Sequence, residues 1–97
     1  MITYVALVNF TDQGIRNAKD TVKRTDAFKD MAKKFGVTVR EFFWTYGRYD
    51  MVAITEAPDE ASGMGLNMSL CALGNVRTQT LHAFSADEMK PIIAKML

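Results

Sequence analysis

Apolar residues fall along this chain in blocks whose spacing changes from one block to the next. Ile2 to Phe10 is short, β-branched and aromatic, lacks a 3.6-residue period, and is stopped by Thr11-Asp12-Gln13-Gly14. That pattern predicts a strand. From Ile15 the apolar positions run Ile15, Ala18, Val22, Phe28, Met31, Ala32 and Phe35, mostly three or four apart, with lysines and aspartates between them. This is the stripe of an amphipathic helix, and it ends at Gly36, the residue type best suited to a left-handed C-terminal cap. Asp20-Thr21 is a second start signal that could divide a short helix from a longer one.

Val37 to Tyr46 and Tyr49 to Glu56 are strand-like runs separated by Gly47-Arg48, which predicts a hairpin closed by a type II′ turn. In that register Tyr46 faces Tyr49, Trp44 faces Met51 and Phe42 faces Ala53. The opposite surface then holds Val39, Glu41, Phe43, Thr45, Asp50, Val52 and Ile54. Both surfaces are largely apolar, whereas a sheet wetted on one side alternates apolar with polar residues, so both faces should be covered.

Ala57-Pro58-Asp59-Glu60 opens a further helix. Its apolar residues wrap most of the circumference, and it carries Gly63 and Gly65, each costing about 1 kcal/mol relative to alanine. Such a helix should be buried on more than one side, and its glycines permit close approach of another backbone. After Gly74-Asn75 comes a fourth strand, Val76 to Phe84, with Thr78, Thr80 and His82 on one side and Arg77, Gln79 and Leu81 on the other. Ser85-Ala86-Asp87-Glu88 is a capping-box pattern for a last helix, which Pro91 should shorten or kink.

The order β-α-β-β-α-β plus a C-terminal helix predicts an α+β fold, ferredoxin-like, with one four-stranded antiparallel sheet. Two helices cover one face of such a sheet. The other face, apolar as it is, should meet a second copy of the chain across a two-fold axis. A homodimer or higher homo-oligomer in light scattering, which Trp44→Asp should turn into monomer or aggregate, is the expected sign of it.

Composition narrows the classes. Ninety-seven residues make one domain over 1–97; 48% are hydrophobic and 24% charged, and the net charge is +1. Near-balanced charge argues against nucleic acid or an anionic membrane as partner. A single cysteine and a single histidine exclude a disulfide framework and a zinc site built from those residue types alone. The apolar start has no basic flank or cleavage pattern and is too short to span a bilayer, so a cytoplasmic location is expected. No metal or cofactor is called for: the glycines match neither a phosphate-binding loop nor a dinucleotide fingerprint.

Gly47-Arg48-Tyr49-Asp50-Met51-Val52 after a Trp44-containing strand, then Glu56-Ala57-Pro58-Asp59, then Leu73-Gly74-Asn75-Val76-Arg77-Thr78-Gln79-Thr80 and Ala83-Phe84, with Thr11-Asp12-Gln13-Gly14 before the first helix, resembles the GYD domain family across essentially the whole chain. That family is similar to the dimeric α/β-barrel superfamily, which includes cofactor-independent monooxygenases, isomerases, haem-dependent enzymes and small-ligand regulatory domains. The resemblance implies the fold and the dimer; it implies no particular chemistry.

The candidate ligand-binding residues are Asn9, Trp44, Tyr49, Asp50 and His82. Asp50 either accepts hydrogen bonds that fix the hairpin or is a desolvated carboxylate usable as a base or ligand acceptor. His82 is the sole imidazole and cannot form a triad alone; no serine has a base beside it. Cys71 lies among apolar neighbours and reads as an inert thiol. Glu41, Asp50 and Glu56 share a hairpin face, as a two-carboxylate hydrolase or a solvated rim would have them. The stripe Phe42, Trp44, Tyr46 suits a flat ligand or, better, an interface between sheets. Two functions follow. One is a small-molecule binding protein or cofactor-independent enzyme, with a pocket between sheet and helices lined by aromatic and methionine side chains and made polar by Asn9, Asp50 and His82, taking a small aromatic or apolar ligand. The other is a non-catalytic oligomeric module, regulatory or structural. A cavity of about 300 Å³ or more with convergent polar groups separates the first from the second.

Overall fold

β1 (Ile2–Phe10) is the spine of the protein, pairing antiparallel with β3 (Met51–Ala57) on one side and with β4 (Val76–Ala83) on the other. β2 (Thr38–Trp44) adds to the outer edge of β3, giving the order β2-β3-β1-β4 in a computed structural model that describes all 97 residues. α1 (Asp12–Arg16) and a 3₁₀ turn at Ala18–Asp20 lead into α2 (Thr21–Lys34), so the second start signal at Asp20-Thr21 does divide a short helix from a long one. α3 (Glu60–Ala72) follows β3, capped by the Asp59 side chain, which accepts from the Ser62 N–H at 2.7 Å. α4 (Ala86–Ile93) follows β4 behind a complete Ser85/Glu88 capping box, and Pro91 sits inside this eight-residue helix. The architecture is the predicted α+β, ferredoxin-like one.

Alternation along the strands sorts the sheet's two faces. Tyr4, Ala6, Val8 and Phe10 of β1 lie on the same side as Met51, Ala53, Thr55 and Ala57 of β3, and it is this side that packs on α2 and α3. Only 11 of 97 residues are buried, and most of the apolar ones gather in two small clusters of 4 and 3 residues. One joins Ala32, Val37, Ala57 and Leu66; the other joins Val8, Met51 and Val76, with Phe42 and Leu70 packed against it. The opposite face carries Val5, Leu7, Val52, Ile54, Phe43 and Leu81 with no helix over it. Phe43 is 55% exposed and Leu81 44%.

The hairpin departs from expectation in two places. Trp44 faces Met51 and Phe42 faces Ala53 as predicted, but β2 ends at Trp44 and β3 begins at Met51, so residues 45–50 form a loop rather than a two-residue turn. Gly47 has φ +125°, away from the value near +60° that a type II′ turn needs at this position, and Tyr46 points wholly into solvent. The cause is Asp50: its N–H donates to the Val8 carbonyl at 2.9 Å, drawing the chain towards β1 and away from Tyr46. Secondly, a bulge between Val39 and Glu41 inserts Arg40 as an extra residue, which moves Val39 from the open face to the helix face and leaves Arg40 ion-paired with Glu56.

Phe42 and Trp44 therefore point at the protein's own helices. Phe42 packs near Phe28, with ring centroids 6.4 Å apart, and the Trp44 indole N–H donates to the Thr21 hydroxyl at 3.0 Å. The aromatic stripe expected at an interface between sheets belongs to the covered face, because the strands place it on the side of Met51 and Ala53. Trp44→Asp consequently probes the α2 contact and not the open face.

The helix glycines also have neighbours within the chain. A Cβ on Gly63 would lie 2.8 Å from the Tyr4 ring, and one on Gly65 3.0 Å from the Phe35 ring, so the close approach these glycines allow is to side chains of the same molecule. The tightest case is Gly14, where a Cβ would meet the Asn75 carbonyl oxygen at 1.9 Å. Gly14→Ala should cost about 1–3 kcal/mol in urea unfolding; a change below about 0.5 kcal/mol would show that α1 does not pack on Asn75.

Candidate functional site

α2 and α3 meet where Ala32 of the former, and Phe35 just past its end, reach Leu66 and Gly65 of the latter. Towards the start of α2 and the end of α3 they diverge, and the space between them and the sheet is a cavity of about 600 Å³. Its floor is the helix face of β1, β3 and β4. Phe28 and Met31 of α2 wall one side, Met64 and Leu70 of α3 the other. One end lies at Tyr4, Gly63 and Glu60, the other at Phe10, Leu73 and Asn75. Phe10 lies six positions beyond Tyr4 along β1, which makes the long dimension about 20 Å at the usual strand rise.

The polar groups on the lining are largely occupied by one another. The Thr78 hydroxyl donates to Asn67 Oδ1 at 2.6 Å, Thr25 to the Thr21 carbonyl at 3.0 Å, and Thr80 to Thr78 Oγ1 at 3.4 Å. Burial, together with the Glu60 and Asp59 carboxylates, pushes the Tyr4 phenol above its ordinary value, so Tyr4 stays a neutral hydroxyl throughout the physiological range. Arg24 and Glu60 are the charged residues of the lining.

The five residues singled out from the sequence do not converge on this cavity. Asn9 pairs with Arg77 and, as an odd-numbered residue of β1, stands on the open face. Tyr49 lies on that side too, its hydroxyl donating to Gln79 Oε1 at 2.8 Å. Asp50 is taken up by the backbone: its carboxylate accepts from the Phe10 N–H at 2.8 Å while its own N–H bonds Val8. His82 is exposed at the Tyr4 end, stacked on Phe84 at 4.4 Å and tilted against Tyr4 at 5.7 Å. Trp44 is near the start of α2, bonded to Thr21. The predicted polarity of the pocket thus comes from other residues: Thr78, Thr80 and Asn67 in place of Asn9 and Asp50. Among the strand acids Glu56 is tied to Arg40, so Glu41, Asp50 and Glu56 have separate surroundings.

Two sequence signals could have pointed to the lining. The alternating threonines of β4 mark the polar side of the floor. Arg24 sits three residues after Thr21 and four before Phe28, on the stripe that faces the sheet, whereas the other helix cations lie off it.

The motif segments act as staples. The Thr11 N–H donates to the Asn75 carbonyl at 3.1 Å and its hydroxyl to the Gly74 carbonyl, while the Gln13 amide nitrogen donates to Leu73 O at 3.2 Å and to Asn75 Oδ1 at 2.9 Å. Thr11-Asp12-Gln13-Gly14 is in this way clamped to Leu73-Gly74-Asn75, and Asp50 of the third motif holds the residue next to Thr11. A GYD domain family profile matches residues 4–93. The chain belongs to the GYD domain family. Similar to this GYD chain is the glutamine synthetase and cystathionine beta-lyase binding protein of Thermus thermophilus, 31% identical over 93 residues that cover 92% of this chain and 95% of that protein. A crystal structure of a Thermus thermophilus protein superposes with a TM-score of 0.58 at 26% identity, covering 89% of this chain and 96% of the other. These likenesses extend the ferredoxin-like architecture over nearly the full length.

Replacing the motif carboxylate should unfasten the loop. Asp50→Ala is expected to lower unfolding free energy by about 1.5–3 kcal/mol, the usual worth of a charge-assisted hydrogen bond lost to a part-buried donor. Unchanged stability in denaturant would mean that Asp50 serves something other than the fold.

Proposed function

We propose that this GYD chain is a homodimeric small-ligand binding protein that holds an apolar molecule between its sheet and helices. The supporting observation is the cavity: about 600 Å³ is inside the range of small-molecule sites, and 17 of its 27 lining residues are hydrophobic. Its volume exceeds the mark of about 300 Å³ expected of such a pocket, but its polarity comes from Thr78, Thr80 and Asn67, and the expected convergence of Asn9, Asp50 and His82 is not found. Methionines 31, 51 and 64 give the walls adaptable shape, and the mutually bonded threonines present hydroxyl edges without a strong demand for a polar ligand. Binding rather than turnover is the reading, since the hydroxyls of Thr25, Thr78 and Thr80 on the lining are bonded within the chain.

The homodimer rests on the bare face of the sheet. Val5, Leu7, Val52, Ile54, Phe43 and Leu81 form a continuous apolar surface that a second copy would cover by the same surface, as two-fold association requires. α4 and the residues after it would extend such a contact, for they leave Ile92, Ile93 and Met96 in the open. Light scattering at micromolar concentration should give twice the chain mass, and Phe43→Asp should halve it without loss of secondary structure. A wild-type monomer would remove the dimer.

A second reading is docking on other proteins, favoured by the name of the Thermus relative. In that case the exposed apolar surface of α4 is the natural contact, and the host's own glutamine synthetase and cystathionine beta-lyase are the partners to try. Calorimetry with each purified enzyme decides it: saturable micromolar binding abolished by Ile93→Asp supports docking, and no heat of binding to either enzyme refutes it.

A further inference from the structure

The cavity has one feature that an all-purpose apolar pocket would lack. Arg24 lies on its wall, one turn into α2. A guanidinium offers five N–H donors, and here one of its nitrogens makes a single long contact, 3.4 Å to the Gly14 carbonyl. The ion pairs of the protein lie elsewhere, Arg40 with Glu56 and Lys90 with Asp87. Withdrawing a cation from water without a partner is costly, and long side chains normally escape that cost by reaching out to solvent. Arg24 keeps to this rule: it is half-buried on a lining that also includes Phe28 and Leu70, and its donors other than the one on Gly14 open to solvent, free for an incoming anion.

The charge is also placed asymmetrically. Through Gly14, which abuts Asn75, Arg24 belongs to the end of the cavity near Phe10 and Leu73. Glu60 stands at the other end beside Tyr4. Between the two run Ala6, Val8, Met51 and Leu70, which are apolar. A slot of about 20 Å with a cation at one end, grease along its length and a carboxylate at the far end is complementary to a molecule with a negative head and an apolar body. It opposes the same body carrying a positive head at the Arg24 end.

We propose that the cavity takes an amphiphile with a single anionic head, such as a medium-chain carboxylate, and that Arg24 binds the head with the chain lying along β1 towards Tyr4. This deepens the small-ligand reading above and depends on it. A bidentate guanidinium–carboxylate pair would use the donors that Gly14 leaves free. Arg24 thereby sets which member of an apolar series is held.

The test is calorimetric titration of the full chain with dodecanoate, dodecan-1-ol and dodecylammonium, each kept below its micelle-forming concentration. Dodecanoate should bind at least tenfold more tightly than either analogue. Arg24→Gln should bring dodecanoate down to the level of the alcohol while leaving the alcohol's affinity unchanged, which also shows that the variant is folded. Leu70→Trp, which fills the cavity, should abolish all binding. Equal affinity of wild type for acid and alcohol, or an undiminished affinity of Arg24→Gln for dodecanoate, overturns the role of Arg24 and leaves the cavity reading intact. Failure of all three probes to bind the wild type overturns both.

Discussion

Two helices laid over a four-stranded sheet, touching each other only at one end, leave space at the other that their side chains do not fill. The cavity proposed as the ligand site follows from that geometry. Ala32 fits against Leu66, and Gly65 lets the Phe35 ring approach α3, so the helices close there. Further along, Thr21 and Arg24 stand where bulky apolar side chains would be needed to reach Leu70 and Leu73, and the sheet below offers Ala6, Thr78 and Thr80. Small and polar residues at those positions cannot make up the missing volume, and a packed interior would not tolerate such a gap by chance.

The chain spends its strongest hydrogen bonds on holding that arrangement. Asp50 binds the last N–H of β1, Thr11 starts α1 and grips Gly74 and Asn75, and Gln13 reaches Leu73 and Asn75. These bonds join three segments far apart in sequence at the wide end of the cavity, and they fix where β1 ends, where α1 starts and where the chain leaves α3. The residues by which the GYD family is recognised are thus scaffold in this chain.

Much of the architecture was legible from spacing alone. The apolar run of β1, the 3.6-residue stripe of α2, the restart at Asp20-Thr21, the glycine stops at Gly36 and Gly74 and the capping box at Ser85 each lie where a local rule puts them, because each depends on near neighbours in the chain. The failures are all non-local. The hairpin loop is set by an Asp50–Val8 bond across to another strand, and the bulge at Arg40 comes from how β2 must bend to follow β3. Spacing alone cannot see such contacts, so it places the aromatic stripe of Phe42 and Trp44 at an interface when that stripe belongs to the layer under the protein's own helices. Asn9 and Asp50 look like pocket residues in one dimension and prove to be an open-face residue and a backbone clamp in three. Arg24 hides among eleven other lysines and arginines, and its distinction is only a phase on the helix.

The central claim is that open apolar space lies between α2, α3 and the sheet. Dissolved xenon enters such space without needing any polar group, and three of the seven methionines, Met31, Met51 and Met64, line it. Methyl NMR of the methionine-labelled chain under xenon pressure tests the claim directly. The account predicts saturable shifts of those three methyls, with those of Met1, Met89 and Met96 unmoved; uniform, non-saturating shifts of all seven would contradict it.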